Sequence, residues 1–351
     1  MNGDAIYVVG LGASTPVGRD AWSSAAAVRA GISGFGQHPY MIDTAGEPMR
    51  VAGAPWLDID LTGVARYEAL LFPALDQAFA ALPNDAGSLR IALALGLPSP
   101  RPGLPTDLQS ALVSSIGGRY GQTLTVLGAF PHGHAAGLLA LDAAVNKLTQ
   151  GALDACVVAG VDSYIAPETL EWLEACDQYH GAGPLNNAWG FLPGEAAGAL
   201  LLACGTVVER MRLTPLARIL GVGTAFESKR IKTETVCIGE GLTQAFRAAL
   251  ATLPSGSKVT DVYCDMNGEP YRADEYGFTV LRTKESFESA SDFAAPADCW
   301  GDVSAAGGPL HVGLAAIAGS KRYANGSPAL VWASSEGGER CAALVAVGGV
   351  N

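Results

Sequence analysis

The run from Thr125 to Gly151 constrains this chain more than any other feature. An apolar β-type stretch, Leu124 to Phe130, is halted by Pro131, and His132-Gly-His134 fills a short turn. A run of small and apolar residues follows until Gly151 supplies a helix stop. The pattern predicts a strand, a tight elbow and a buried helix. A side chain at such an elbow lies over the helix N-terminus, where unpaired backbone N–H groups and the macrodipole favour an anion or a neutral donor. His134 therefore stands where many enzymes keep a nucleophile.

Around this element the chain alternates strands and helices. A strand from Ala5 to Val9 breaks into a glycine-rich turn and a helix from about Arg19 to Ala30. A dinucleotide loop is not implied there, because the G-x-G-x-x-G spacing fails at Thr15 and no ribose-binding acid follows. Residues 37–60 read as irregular. A helix over Val64 to Ala81, a strand over Arg90 to Leu95, a Pro-rich loop over Leu97 to Pro105 and a helix over Asp107 to Gly118 lead to the elbow. Beyond it come a strand over Ala155 to Ala159, a Gly-Val-Asp turn, a helix over Pro167 to Ala175 and a strand over Gly198 to Cys204. The second half repeats the rhythm, with strands at Leu216 to Thr224, Asp261 to Cys264, Val331 to Ser334 and Ala342 to Val347, and helices at Glu240 to Leu253 and Pro309 to Ala318. The strands are too continuously apolar to be half exposed, which predicts an α/β fold with sheets covered on both faces. The boundary is expected near Thr206 to Thr214, dividing the chain into halves 1–208 and 209–351.

Composition narrows the function classes. With 351 residues, 49% hydrophobic and 16% charged, the chain can bury a large core. A net charge of −12 argues against nucleic-acid binding, and the short basic clusters Lys229-Arg230-Ile-Lys232 and Lys321-Arg322 read as solvated faces. Seven cysteines include no C-x-x-C pair, which predicts reduced thiols rather than a disulfide framework. No signal peptide and no 18-residue apolar span is evident, so a cytoplasmic protein without a membrane partner is expected. The apolar strand Gln122 to Phe130 would expose an edge in a monomer, which predicts pairing with another chain.

Four segments carry a family resemblance: Val8-Val-Gly-Leu-Gly-Ala-Ser-Thr-Pro-Val-Gly18, Gly151-Ala-Leu-Asp-Ala-Cys-Val-Val-Ala-Gly160, Gly190-Phe-Leu-Pro-Gly-Glu-Ala-Ala-Gly198 and Leu216-Ala-Arg-Ile-Leu-Gly-Val-Gly223. In order, spacing and span the chain resembles the β-ketoacyl-ACP synthases of the thiolase superfamily. The resemblance implies a thiolase-like, five-layered αβαβα double domain and a homodimer or heterodimer with another thiolase-fold chain, made through the strand that leads to the elbow. It implies no cofactor, and acyl carrier protein or a protein client as further partners.

The same resemblance implies a changed active site. The family's cysteine nucleophile, in a Thr-Ala-Cys sequence, matches His132-Gly133-His134. Its first catalytic histidine, in a His-Gly-Thr-x-Thr-Pro loop, matches Asp265. Its second, in a Lys-x-x-x-Gly-His segment, matches Asp302, with Ala297 at the lysine. The late Gly-Phe-Gly-Gly-Thr-Asn loop matches Ser335 to Arg340 and places Glu336 where an apolar gate is expected. Condensation needs a thiolate carrier and two N–H donors for the oxyanion, and aspartates at both donor positions would repel that charge. These residues form either a relic pocket of mutually hydrogen-bonded groups or a metal site built from His132, His134, Asp265 and Asp302. Three acids in one pocket should titrate high or be held by the imidazoles. Cys264 is a candidate displaced nucleophile, although a cysteine ending a buried strand is ordinarily packing. The expected function is that of a catalytically degenerate partner or adaptor, either like a chain-length-factor subunit or like the thiolase-like proteins that accompany secretion effectors, type VI among them. The alternatives are an acyltransferase or synthase with altered machinery and a metal-assisted hydrolase.

Overall fold

The computed structural model describes residues 5–83, 86–121, 124–181, 187–230 and 233–349. Gln122 and Thr123, at the start of the expected pairing strand, and Ile231 and Lys232, in one basic cluster, lie outside the described residues. The first half runs β1 (Ile6–Ser14), α1 (Ala21–Arg29), β2 (Gly36–Ile42), β3 (Pro48–Val51), α2 (Gly63–Phe79), β4 (Ile91–Leu97), α3 (Leu108–Tyr120), β5 (Leu124–Pro131), α4 (Ala136–Thr149), β6 (Ala155–Ser163), α5 (Pro167–Ala175), β7 (Glu195–Cys204) and α6 (Gly205–Met211). The second runs β8 (Ala217–Phe226), α7 (Glu240–Leu250), β9 (Asp261–Cys264), α8 (Pro270–Thr283), α9 (Ala297–Trp300), α10 (Gly307–Ser320), β10 (Ala329–Ser334) and β11 (Glu339–Val347).

Nine strands hydrogen-bond in the order β5-β4-β6-β7-β1-β8-β11-β10-β9. β4 is parallel to both β5 and β6, while β7 is antiparallel to β6 and β1. A short antiparallel pairing of Ile6–Val8 with Ala217–Ile219 joins two half-sheets. Within the second, β11 is antiparallel to β8 and β10, and β10 is parallel to β9. Read outward from the joint, each half places its first strand beside its last, so one topology is used twice. The fifth position of the second half is filled only by isolated parallel bridges, Val259 with Phe287 and Tyr263 with Ala294. The residues between Phe287 and Ala294 outnumber those between Val259 and Tyr263, so this edge loops out instead of forming a ladder.

The layering follows from side-chain character. α10 is buried from Gly307 through Gly319, being apolar or small on every face, as expected of a helix in a central layer. α4, equally rich in alanine and leucine, packs on α10 and on strands of both half-sheets. α2 covers β1, β6 and β7 from outside, and α7 covers β8 and β11. This is the mixed α/β arrangement that the alternating pattern predicts, and it matches the thiolase-like fold that the resemblance implies.

Several local expectations differ from the structure. β1 runs without a break to Ser14, so the glycine-rich segment is strand rather than turn. Its glycines serve close packing: a Cβ on Gly12 would sit 1.8 Å from the backbone oxygen of Ala74 in α2. The Gly-Val-Asp segment is likewise part of β6. Residues read as irregular contain the β2–β3 hairpin, whose alternation is hidden because β2 is mostly exposed. α8 follows Pro270 in a stretch to which the sequence pattern assigns no element. Pro270 occupies the first turn of α8, where its missing N–H costs nothing.

Candidate functional site at the paired elbows

The repeated topology brings two similar elbows together. After β5, His132 (φ −118°, ψ 12°) is followed by Gly133 at φ +67° and a single tight turn, Gly133–Ala135, that feeds α4. After α9, Val303 (φ −116°, ψ 11°) is followed by Ser304 at φ +39° and the turn Ser304–Ala306, which feeds α10. Glycine adopts the left-handed region freely, whereas Ser304 holds it at a cost of order 1–3 kcal/mol. Ala135 N–H at the first elbow donates to Ser335 Oγ at 2.8 Å, and Ser335 in turn donates to His132 O.

His134 is buried, and its Nε2 lies 2.8 and 3.0 Å from the two carboxylate oxygens of Asp302. Asp302 also accepts from Asn267 Nδ2 at 2.6 Å and from Ser304 N–H at 2.8 Å. Burial alone would push the Asp302 carboxyl upward, yet the charge and hydrogen bond of His134, the Arg272 guanidinium and Asn267 together hold it well below the usual carboxylate range.

Arg272, from the first turn of α8, was not foreseen in the sequence and is the central cation here. It is fully buried, donates through Nη1 to Asp265 Oδ2 and to Ser334 O, both at 2.9 Å, and approaches Glu269 at 3.5 Å. Burial opposes its charge, but Tyr271, Asp265, Glu269 and Asp302 hold it as a cation above its ordinary range. Its Nη2 lies 3.1 Å from His134 Nε2. With the Nε2 proton directed at Asp302, that approach is a like-polarity contact which the surrounding carboxylates offset. Of the two outcomes expected for the acids, the structure shows Asp302 held by an imidazole, with an arginine assisting. Asp265 faces Arg272 and Ser334 N–H, and its Oδ1 has no partner among the described residues.

The candidate metal ligands do not converge as a set of four. His132 points its Nδ1 to Glu339 at 3.0 Å, and the Arg272 guanidinium stands between Asp265 and His134. Cys264 is wholly buried, its Sγ set against Ala294 O, and burial pushes its thiol far above the usual range. That environment gives an unreactive thiol.

A cavity of about 130 Å³ opens beside the first elbow, lined by His132, His134, Arg101, Trp172, Ser304 and Glu336 among others. No cysteine lines it among the described residues. Glu336 accepts from Gln178 Nε2 at 2.9 Å. Arg101, from the loop after β4, pairs with buried Asp162 at 2.5 Å and lies 4.1 Å above the Tyr164 ring. Sequence reasoning treated this loop only as Pro-rich, and a lone arginine in a loop carries no periodic signal. For Arg272 a signal existed: Glu269 and Arg272 stand three apart at the start of an amphipathic helical run, which the loop match ending at Pro270 does not reach.

Comparison with known proteins agrees with this geometry. Residues 99–205 match the family model for the N-terminal domain of beta-ketoacyl synthase, a segment that includes the first elbow. No curated protein sequence matches the chain. Among solved structures, the chain is similar to a type II polyketide synthase ketosynthase in complex with its acyl-carrier protein, at 15% identity, TM-score 0.81, with 99% of this chain and 100% of that chain covered. It is similar to the ketosynthase from module 6 of the bacillaene synthase of Bacillus subtilis 168, at 16% identity, TM-score 0.77, covering 98% and 72%. A third likeness is the ishigamide ketosynthase/chain length factor, at 19% identity, TM-score 0.71, covering 98% and 100%. At these identities the likeness defines the fold. Among the described residues no helix is long and apolar enough to cross a membrane.

Proposed function

We propose that this chain is a non-condensing, ketosynthase-like subunit that works by pairing with another thiolase-fold chain. The observation that carries the reading is the commitment of the elbow side chain: His134 is locked to Asp302 and crowded by Arg272, and among the described residues no thiol faces the cavity. An imidazole is a poor acyl carrier because acyl-imidazoles hydrolyse readily. The positions that resemble the family's oxyanion donors are Asp265 and Asp302, the latter held as a carboxylate, so a developing enolate would meet negative charge.

Pairing is supported by β5. It forms one edge of the nine-stranded sheet, and Val126, Leu127, Ala129 and Phe130 are only partly buried along it. Long apolar edges of this kind are normally covered. One solved relative in fold is a ketosynthase/chain length factor, a precedent for a partner of the same fold. A pathway subunit and an accessory of a secretion effector, type VI included, both fit such an adaptor. The partner co-purified from the source cell separates the two.

One observation favours a second reading. A histidine oriented by a carboxylate and facing a cavity is also the geometry of a general base, as a hydrolase would use. Light scattering and incubation with malonyl- and acyl-CoA followed by mass spectrometry test both readings. A dimer that Val126→Lys dissociates, with no acyl adduct and no decarboxylation, is expected. A lone monomer that recovers no partner, or acyl turnover lost in His134→Ala, would overturn the partner reading.

A further inference from the structure

We propose a divalent-metal site, suited to Zn(II), formed by Glu227, Cys237 and Glu275 in the second half of the chain. Glu227 follows β8, Cys237 lies in the segment before α7, and Glu275 projects from α8. One carboxylate oxygen of each glutamate and the Cys237 sulfur lie within 4.8 Å of one another. Tetrahedral zinc with Zn–S near 2.3 Å and Zn–O near 2.0–2.2 Å spaces its ligands roughly 3.3–3.7 Å apart, so a shift of about 1 Å closes the shell. A mixed thiolate and carboxylate set matches a borderline-soft ion better than calcium or magnesium.

A buried carboxylate reaches the same place. Glu275 is wholly buried; its Oε1 takes Arg340 Nε at 2.5 Å and lies 3.8 Å from Cys237 Sγ, while its Oε2, like Nη2 of the same guanidinium, has no hydrogen-bond partner among the described residues. A buried carboxylate oxygen without a donor is costly, and a cation satisfies it. Glu227 is anchored: Oε1 accepts from Lys229 N–H at 3.0 Å and Oε2 from Gly241 N–H at 2.7 Å, contacts that hold the carboxylate in one orientation. Gly239 N–H is hydrogen-bonded to the Cys237 sulfur, and such a donor also stabilises a bound thiolate.

Charge is consistent with a divalent ion. Arg340 pairs with Glu275, which leaves the charge of Glu227 unbalanced among the three ligands; a Cys237 thiolate formed on binding adds a second. Binding displaces the thiol proton to solvent and forms the metal–sulfur bond, so one proton is released per ion and no redox partner is needed. Cys237 is half buried, which leaves a route from solvent.

The test uses the full-length chain stripped with chelator and titrated with Co(II), then Zn(II). Expected are about one ion per chain, a thiolate-to-cobalt charge-transfer band that Zn(II) abolishes, and a melting temperature raised by Zn(II). Cys237→Ser should remove the band and weaken binding at least tenfold, while Cys176→Ser and His134→Ala leave both unchanged. Should Glu275→Gln fail to fold through loss of its pair with Arg340, Glu227→Gln serves as the second ligand variant. Absence of the band in the parent protein, or its persistence in Cys237→Ser, overturns the site.

Discussion

Replacing His134 by alanine tests the elbow chemistry most directly. Asp302 loses the donor that contacts both of its oxygens, but it keeps Asn267 Nδ2 at 2.6 Å, Ser304 N–H at 2.8 Å and the field of Arg272. Breaking a buried pair ordinarily costs 3–5 kcal/mol, and the donors that remain place this case at the lower end, about 3 kcal/mol. Little is added for a void, because His134 lines an existing cavity and its removal enlarges that space rather than sealing a new one. Asp302→Asn in the same chain removes the charge left behind, so the double variant should recover about 2 kcal/mol relative to His134→Ala. Urea unfolding followed by tryptophan fluorescence at pH 7 reads these values. Acid supplies an independent signature. The native carboxyl of Asp302 is depressed, so the unfolded chain binds its proton more strongly. The stabilisation is complete above the unfolded carboxyl value of about 3.9 and is lost as pH falls toward the lower native value. Below pH 4 the gap between parent and Asp302→Asn should narrow. A His134→Ala loss under about 1 kcal/mol, or single-variant losses that simply add, would refute the reasoning.

Other outcomes follow from the same structure. His134→Cys should form no productive acyl-enzyme with malonyl-CoA, because Asp265 and Asp302 still stand where donors are needed; turnover seen by mass spectrometry would contradict this. Iodoacetamide should label exposed Cys176 in the native protein and reach Cys264 only after denaturation, as peptide mapping reports. Gly12→Ala should cost about 3 kcal/mol in urea unfolding, because the new Cβ meets backbone of α2 rather than a side chain that can move.

The layered α/β architecture was legible because period and breakers agreed: Leu124 to Phe130 before Pro131, and the all-apolar run that became α10, have few alternatives in a soluble fold. His134 and Asp302, far apart in sequence, were both singled out from motif position, and the structure places them in contact. What stayed hidden depended on contacts between distant segments. Arg272 reads as an ordinary helix-surface residue until the fold turns that face inward onto Asp265, and Arg101 is anonymous until Asp162 lies beside it. β2 escaped because its residues are mostly exposed, so burial never imposed an alternating pattern on it. Glu227, Cys237 and Glu275 come from three elements, and no spacing rule joins residues that only folding brings within reach.

The two ends of the nine-stranded sheet are unequal. At β5 the ladder stops with a regular strand, while beyond β9 it dissolves into two separated bridges around a looped segment. A sheet with two good edges can be extended from either side and grow without limit. Among the described residues β5 is the one regular edge, so the proposed edge-to-edge pairing would join β5 to one like strand and then have nothing further to add. On the proposed pairing, the irregular side of the second half would act as a chain terminator, holding assembly through the sheet to two molecules.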